Sequence, residues 1–273
     1  MPAPLIVHVT DPADPRITHY RDIRERDLVG REGLFVAEGK VVLAMLLASE
    51  AYRPLSLLIA AHRIPALGDL LDQVPESVPV FAAEQDVLDG IAGFPLHRGI
   101  LAIGRRVDSP APDALLARLP QQATILLLSA IANHDNMGGI FRNAAGLGAD
   151  AILLDSDCCD PLYRKAIRVS VGAALLVPFA KLERGTDALA LLSRHGFEAL
   201  ALSPSGGLRL SDLHPAPRTA VLLGAEGPGL PPDLLAAATS VRIPMAPGFD
   251  SLNVATTSGI VLHHIAAART DPV

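Results

Sequence analysis

The sequence has few of the residues on which several common kinds of site depend. Of its 273 residues only two are cysteines, Cys158 and Cys159, and they are adjacent. Adjacent cysteines make a poor disulfide or chelate and no CxxC pair is present, so we expect a structural role in a reducing compartment. Tryptophan is absent and aromatic residues make up 4% of the chain, which argues against an extensive base-stacking platform.

Long apolar runs and leader-like patterns are also missing. No stretch approaches the roughly 20 apolar residues that a membrane-spanning helix needs. Residues 1–14 contain three prolines and no cationic stretch ahead of an apolar block, so neither a signal peptide nor a transit peptide is expected. We therefore expect a cytoplasmic protein without a membrane partner.

The overall composition is that of a globular protein. Half of the residues are hydrophobic and 19% are charged, which favours a sizeable core and excludes a disordered or fibrous chain. The net charge of −6 argues mildly against nucleic-acid binding, because basic groups supply most of that affinity. An enzyme that engages a small RNA site can nevertheless hold its positive charge locally.

The chain divides into two parts around a segment rich in proline, alanine and charge, residues 105–122, which we interpret as a linker. Residues 1–104 are predicted to form a small α/β domain. Its elements include a charged helix over 16–31, a strand ending in a glycine turn over 35–39, and a helix over 40–51.

Residues 123–273 alternate between apolar strands and helices. The strands are predicted at 124–128, 151–154, 175–179, 199–202, 220–223 and 241–243, and the helices at 137–147, 160–171, 186–195, 231–238 and 252–268. The strands are near-continuous apolar runs, which indicates burial on both faces. The prediction is an α/β fold with a mainly parallel sheet and helices on both faces.

The first polar segment, residues 133–143, follows a buried strand and opens a helix. Asp135 or Asn136 is predicted to cap that helix. Arg142 lies off the apolar face, and because side chains lean toward a helix N-terminus it can reach back over the loop. An isolated arginine is more often a plain surface group, but the twin glycines at 138–139 allow another backbone or a ligand to come close.

The second segment, residues 222–230, runs from an apolar strand into three glycines around Glu226. Such a loop can cradle a ligand with backbone groups, or it can be a tight turn. It is neither GxGxxG nor a P-loop, so a dinucleotide or triphosphate site is not supported. In the third segment, residues 243–256, Asp250 or Ser251 is predicted to cap a long helix with Asn253 in its first turn.

Taken together, the three segments follow strands of one parallel sheet, whose carboxyl ends gather ligand sites. Their order, N-x-G-x-x-x-R, then G-x-E-x-x-G-L, then I-P-M with S-L-N-V, resembles the three motifs of SpoU-type (TrmH-like) RNA 2'-O-ribose methyltransferases of the SPOUT superfamily. The matching stretches are 136–142, 224–230, 243–245 and 251–254.

The resemblance is strong over 123–273 and looser over 1–104. There, residues 35–40 (FVAEGK) and 97–99 (HRG) resemble the small RNA substrate-binding domain of these enzymes. The resemblance implies a deep trefoil knot, an exception to the usual absence of knots. It also implies S-adenosyl-L-methionine as cofactor, RNA as partner, and a homodimer formed through the C-terminal domain.

The implied activity is methyl transfer to a ribose 2'-hydroxyl of RNA, with ribosomal RNA favoured over transfer RNA. By the resemblance, Arg142 activates or stabilises the ribose oxygen, while the polar residues Asn136, Glu226, Ser251 and Asn253 complete the catalytic site. The residues implied to hold the cofactor are Leu202, Ser203, Leu223, Gly224, Gly229, Ile243, Met245 and Leu252. No cluster of histidine, cysteine and carboxylate has ligand spacing, so no metal is expected.

Two other functions stay open at this point. One is a non-catalytic RNA-binding or ribosome-assembly protein on the same fold, which the intact polar residues of the motifs argue against. The other is a knotted enzyme that methylates a base nitrogen, against which the resemblance of the SLNV segment and Arg142 weighs. A nicotinamide dehydrogenase is a distant third because GxGxxG is lacking.

Overall fold

The computed structural model describes residues 5–21, 28, 32–93 and 95–270. The chain forms two units, of which the first comprises Met1–Asp108 and Leu162–Leu176, and the second Ser109–Pro161 and Val177–Val273. This division differs from the predicted one, because residues 162–176 lie inside the predicted C-terminal domain but belong to the first unit.

The first unit is built on a five-stranded mixed sheet. Its strands are β1 (Ile6–His8), β2 (Leu34–Glu38), β3 (Tyr52–Ala60), β4 (Val80–Ala83) and β5 (Ile100–Arg106), in the order β1-β4-β3-β5-β2. Strands β1, β4 and β3 run parallel, whereas β5 runs antiparallel to both β3 and β2. Helices α1 (Lys40–Ala48), α2 (Gly68–Leu71) and α3 (Gln85–Ala92) accompany them.

The predicted charged helix over residues 16–31 is only partly comparable with the structure. Pro15–Tyr20 forms a 3-10 helix, whose Ile17 and Tyr20 are buried, while residues 22–27 and 29–31 lie outside the described residues. The strand predicted over 35–39 ends one residue earlier, because Gly39 adopts a φ of +93° and turns the chain into α1.

The second unit contains a seven-stranded sheet. Its strands are β6 (Ala123–Leu128), β7 (Ala151–Leu154), β8 (Phe179–Lys181), β9 (Glu198–Leu202), β10 (Leu208–Arg209), β11 (Arg218–Leu223) and β12 (Thr239–Arg242), in the order β10-β12-β9-β11-β6-β7-β8. Every adjacent pair is parallel, which confirms the prediction from the unbroken apolar runs. All residues of β6 and β7 are buried.

Helices of the second unit include α4 (Pro112–Ala117), α5 (His134–Gly146), α7 (Ala188–Arg194), α8 (Pro232–Ala237) and α9 (Val254–Thr270). The boundary between the two units, between Asp108 and Ser109, falls within residues 105–122, the segment interpreted as a linker, but much of this segment forms regular structure. Strand β5 continues to Arg106, and α4 buries Leu115 and Leu116 in the core of the second unit. This adjacent leucine pair is the apolar signal that the surrounding prolines and charges obscured.

Residues 162–176 contain helix α6 (Arg164–Val169), which packs on β2 within the first unit. The Arg164 guanidinium donates to the Glu38 carboxylate over 2.8 and 3.1 Å, and both side chains are largely buried. The helix predicted over 160–171 is shorter because Val171 and Gly172 adopt positive φ. The strand predicted over 175–179 begins only at Phe179.

The amino ends of β6 and β11 are fastened by two arginines. Arg269, near the end of α9, donates to the carbonyls of Ala123, Ala216 and Pro217 and to the Thr124 hydroxyl. Arg218 donates to the carbonyls of Leu116, Leu119 and Pro120. Its guanidinium also lies 4.3 Å from the centre of the Phe197 ring, a cation–π contact. These bonds add donors at strand and loop ends, where some carbonyls, such as that of Pro217, also accept from a backbone nitrogen.

None of the described helices has the length and apolar character needed to cross a membrane.

Candidate functional site

A cavity of about 480 Å³ opens where β9, β11 and β12 end. Its apolar wall includes Leu202, Leu223, Ile243, Met245 and Leu252, and its remaining lining includes Ser203, Gly224 and Gly229. These are the eight residues that the resemblance implies for the cofactor, so the structure brings them all to one place. Glu226, Ser251 and Asn253 line the same cavity. Volumes of this size are ordinary for small-molecule sites.

The loop after β11 folds back on itself so closely that only glycine fits at its start. A Cβ on Gly224 would lie 2.2 Å from the Gly229 carbonyl carbon and 2.3 Å from the Leu230 nitrogen. Gly227 and Gly229 adopt φ values of +87° and +72°, which other residues rarely tolerate. The loop therefore presents its backbone and Glu226 at the rim of the cavity.

Three polar side chains meet at that rim. The Asn136 amide nitrogen donates to Glu226 Oε1 at 2.8 Å. The Asn253 amide nitrogen donates to Asn136 Oδ1 at 2.8 Å and to Glu226 Oε1 at 3.1 Å. Among the described residues, none donates to the second carboxylate oxygen of the exposed Glu226 side chain. That oxygen can accept a hydrogen bond from a ligand.

Asn136 and Asn253 meet because helices α5 and α9 pack very closely. A Cβ on Gly139 would lie 2.8 Å from the Ala255 Cβ, so glycine permits this approach. The Asn143 amide nitrogen donates to the Ala255 carbonyl at 2.6 Å and to Ser258 Oγ at 3.0 Å. Asn143, about two turns along α5 from Asn136, thus fixes the pairing of the two helices.

The helix caps differ from those predicted. Asn133, not Asp135 or Asn136, caps α5 by accepting from the backbone nitrogen of Asp135 at 2.8 Å. Because the helix begins at His134, the residue before it is the one placed to cap. The Asn136 side chain is thereby left to bind Glu226.

At α9 the cap is Asn253, not Asp250 or Ser251. Its Oδ1 accepts from the backbone nitrogens of Ala255 and Thr256 at 2.9 and 3.2 Å, since the helix begins at Val254. The amide nitrogen of the same side chain is bound to Asn136 and Glu226, so its orientation is fixed from both sides. Ser251, at the cavity, donates to Asp250 at 3.4 Å.

Arg142 lies apart from this cluster. It is exposed, is absent from the cavity lining, and has no hydrogen bond or ion pair with the described residues. Six residues along a helix turn a side chain by about 240° relative to Asn136, so the two project from different faces of α5. Arg142 is therefore not among the residues that the structure gathers around its own cavity.

The loop between β6 and α5 is held by a residue that sequence reasoning missed. Asp155, just after β7, accepts from Ser129 Oγ at 2.8 Å and from the Ala130 nitrogen at 2.9 Å through one carboxylate oxygen. Ala130 adopts a φ of +55°, which is unfavourable for a residue with a Cβ. The only sequence signal was an aspartate directly following a buried strand.

The two cysteines pack beneath this loop. Cys158 Sγ donates to the Leu128 carbonyl and accepts from the Ile131 nitrogen, both at 3.3 Å. Burial, followed by the nearby Asp155 carboxylate, raises the pKa of Cys158 to about 12, and burial likewise raises the pKa of Cys159 to about 11. Both thiols therefore stay protonated near neutral pH, which makes them poor nucleophiles or metal ligands. Among the described residues, no group of three or more histidine, cysteine or acidic side chains could hold a metal ion.

Comparison with known proteins supplies the family context for this geometry. The profile of the SpoU rRNA Methylase family matches residues 123–263. A Mycobacterium tuberculosis (strain H37Rv) protein, named as an uncharacterized tRNA/rRNA methyltransferase, is 41% identical over 264 residues, covering 93% of this chain and 90% of that protein.

Solved structures share the fold of the whole chain. A Sinorhizobium meliloti rRNA methyltransferase in its AdoMet-bound form has a TM-score of 0.81 at 23% identity, covering 97% of this chain and 98% of its own. A solved RNA 2'-O ribose methyltransferase has a TM-score of 0.79 at 21% identity, with coverage of 97% and 100%. At these identities the likeness concerns the fold.

Proposed function

The chain belongs to the SpoU rRNA methylase family, and we propose that it transfers the methyl group of S-adenosylmethionine to a ribose 2'-hydroxyl of RNA. The observation that carries the proposal is the hydrogen-bonded cluster of Asn136, Glu226 and Asn253 at the rim of the cavity. Relatives named as tRNA/rRNA methyltransferases support an RNA substrate. A neighbour titled as a 2'-O ribose enzyme supports the ribose acceptor.

The cavity fits the cofactor in size and in chemistry. Leucine, isoleucine and methionine side chains can pack against an adenine ring, and the glycine loop after β11 can offer backbone groups to polar parts of the molecule. The AdoMet-bound state of the Sinorhizobium meliloti neighbour agrees with this assignment. S-adenosylmethionine, when bound, supplies a methyl group already activated on a sulfonium.

The chain's own residues then have to position the acceptor oxygen. Glu226 is fixed by two amide donors on one oxygen, so its other oxygen can orient a hydroxyl at the cavity rim. Holding an acceptor at near-attack distance supplies much of the acceleration in such transfers. Asn136 and Asn253 keep that carboxylate in place and need not contact the substrate.

Arg142 is assigned to the site of a second copy of the chain. Its guanidinium stays protonated at any physiological pH, so it can stabilise negative charge that develops on the ribose oxygen. Because it does not line its own cavity, we propose that it enters the cavity of the partner in a homodimer formed through the second unit. Ribosomal RNA is favoured over transfer RNA as the substrate.

Two structural features complete the proposal. The first unit is assigned to RNA binding, and the protein to the cytoplasm. A trefoil knot in the second unit is supported by an unusually close crossing: a Cβ on Gly206 would lie 2.5 Å from the Val241 carbonyl carbon, and Arg242 donates to the Gly207 carbonyl at 2.7 Å.

The first test is transfer of labelled methyl groups to unmodified ribosomal and transfer RNA transcripts, followed by alkaline hydrolysis. We expect label in alkali-resistant dinucleotides, lost with Arg142→Ala and retained with the exposed control Arg194→Ala. Label only in mononucleotides would mean base methylation. No label, with S-adenosylmethionine shown to bind, would favour an assembly factor.

A mixed-dimer experiment tests the assignment of Arg142 to the partner. Arg142→Ala and Glu226→Gln proteins, each expected to have strongly reduced activity alone, are co-refolded or co-expressed. If Arg142 serves the partner's cavity, the heterodimer contains one intact site and regains a measurable part of the activity. Failure to regain activity, despite heterodimers detected by tag-based purification, would contradict the assignment.

A further inference from the structure

Resting on the proposed RNA substrate, we propose that one edge of the sheet in the first unit, formed by the ends of its strands and not by an outer strand, binds the phosphate backbone of the RNA. At this edge β2 and β3 end and β5 begins. The turns there carry Lys40, Arg63 and Arg98, accompanied by His62 and His97, and all five side chains are exposed. We call these five residues the cationic edge.

Hydrogen bonds tie the turns of the cationic edge into one surface. The Gly39 nitrogen donates to the Ile100 carbonyl at 3.0 Å, and the Ala60 nitrogen donates to the Gly99 carbonyl at 2.8 Å. The ends of β2 and β3 are thereby fixed on either side of the start of β5. Since neighbouring strands lie about 4.8 Å apart, the backbone ends of β2 and β3 lie roughly 10 Å from each other.

The two glycines of these turns bring the arginines close to the backbone. A Cβ on Gly39 would lie 3.0 Å from Arg98 Cδ, so the Arg98 side chain crosses directly over this turn. A Cβ on Gly99 would lie 3.5 Å from Arg63 Cγ. Arg98 and Arg63 therefore flank neighbouring turns of the same surface.

The charge of the cationic edge is not cancelled locally. Among the described residues, Lys40, Arg63 and Arg98 form no ion pair, and Lys40 donates only to the Ala66 carbonyl at 3.4 Å. Glu38, the acid nearest to Lys40 in sequence, is buried and paired with Arg164, and Asp89 accepts from the Leu96 nitrogen and the Gln85 amide. Exposed Glu84 follows β4, on the other side of β3.

A cluster of exposed cations on a chain with a net charge of −6 is a local concentration of positive charge that attracts an anionic partner. Phosphates of an RNA backbone meet that need, and their neutralisation releases counterions, which supplies affinity without reading sequence. The few aromatic residues of the chain leave little scope for base stacking. The cationic edge would therefore orient the RNA, while the cavity of the second unit selects the nucleotide.

The experiment compares two double variants with the same change in charge. Arg63→Gln with Arg98→Gln removes two cations from the cationic edge. Arg53→Gln with Arg105→Gln removes two exposed arginines from the opposite end of the same sheet, where they are cross-strand partners. Binding of labelled ribosomal RNA transcripts is measured over a range of KCl concentrations, and binding of S-adenosylhomocysteine is measured by calorimetry.

We expect the first double variant to bind RNA about tenfold more weakly or worse, with a salt dependence shallower by about two phosphate contacts. The Arg53/Arg105 variant should bind like wild type, and S-adenosylhomocysteine should bind equally to all three. Equal losses in both variants would mean a general charge effect and would overturn the inference, as would no loss in the first.

The same measurements separate this inference from the proposed activity. If the first variant alone loses RNA binding while wild type transfers no methyl group, the cationic edge stands and the methyltransferase proposal fails. If wild type methylates RNA and the first variant binds RNA as tightly as the control, the activity stands and the cationic edge is overturned.

Discussion

The two ends of the parallel sheet in the second unit use polar side chains in opposite ways. At the amino end, Arg269 and Arg218 donate hydrogen bonds to backbone carbonyls, which fixes the ends of the strands. At the carboxyl end, the Asn136 and Asn253 amides donate to one oxygen of an exposed carboxylate, Glu226, and leave its other oxygen available.

The contrast indicates a division of labour within one sheet. Bonds to carbonyls satisfy the protein itself, whereas a carboxylate held at the surface is oriented for something outside it. Substitutions at the carboxyl end should therefore act mainly on activity, and those at the amino end mainly on stability.

The largest effect is expected for Glu226→Gln. The change keeps the size of the side chain but replaces the acceptor of two amide donors with a neutral amide that offers weaker bonds. Loss of this orientation should lower kcat for methyl transfer about 100-fold, with the free energy of unfolding changed by less than about 1 kcal/mol.

The matched control is Glu183→Gln, an exposed glutamate away from the cavity, which should leave both quantities unchanged. Measuring kcat together with urea unfolding gives both readouts on one preparation. If a loss of stability accounted for all of the lost activity, the claim that the carboxyl end of the sheet serves activity would fail.

For Arg269→Met we expect a smaller effect, which falls on the free energy of unfolding and not on kcat. Methionine keeps the apolar stem but removes the charged donor that three carbonyls and the Thr124 hydroxyl share. Bonds from a charged donor are the stronger kind, so unfolding should become easier by about 2 kcal/mol. Arg194→Met, at an exposed arginine, is the control and should change it by less than about 0.5 kcal/mol.

Below the unfolding temperature, the kcat of Arg269→Met should match that of wild type. A large fall in kcat without unfolding would show that the amino end of the sheet also shapes the site.

The smallest effect is expected for Asp155→Asn. Asp155 lies at the carboxyl end of the sheet but supports the protein's own backbone, so this variant tests whether the two ends differ strictly in role. Its carboxylate fixes the Ser129–Ala130 turn that leads into α5. Removing the charge should cost about 1 kcal/mol of stability and lower kcat/KM about tenfold through misplacement of Asn136. Asp212→Asn, on an exposed turn, provides the comparison, and an unchanged kcat/KM would argue that this turn does not position Asn136.

The sheet of the second unit can be predicted from the sequence, because parallel strands that are buried on both faces consist of unbroken apolar runs. The runs at 124–128, 151–154, 199–202 and 220–223 all lie within observed strands. The cofactor-side residues were found through motif resemblance, and the structure gathers them around one cavity.

Other features had no local signature. The sequence pattern predicts Asn253 inside a helix, but it lies just before one. Its double role as cap and donor depends on Asn136, far away in sequence. Asp155 supports the turn at Ala130, which lies 25 residues earlier in the chain. Such contacts arise from tertiary packing, which periodicity does not encode.

The assignment of residues 162–176 to the first unit has a consequence for biosynthesis. Helix α6 supplies the partner of Glu38 and packs on β2, yet it is translated long after the rest of that unit. Domains usually fold as they leave the ribosome, in order from the N-terminus. Here the first unit cannot reach its final form until residue 176 has emerged, so Ser109–Pro161 of the second unit are synthesised before the first unit is complete.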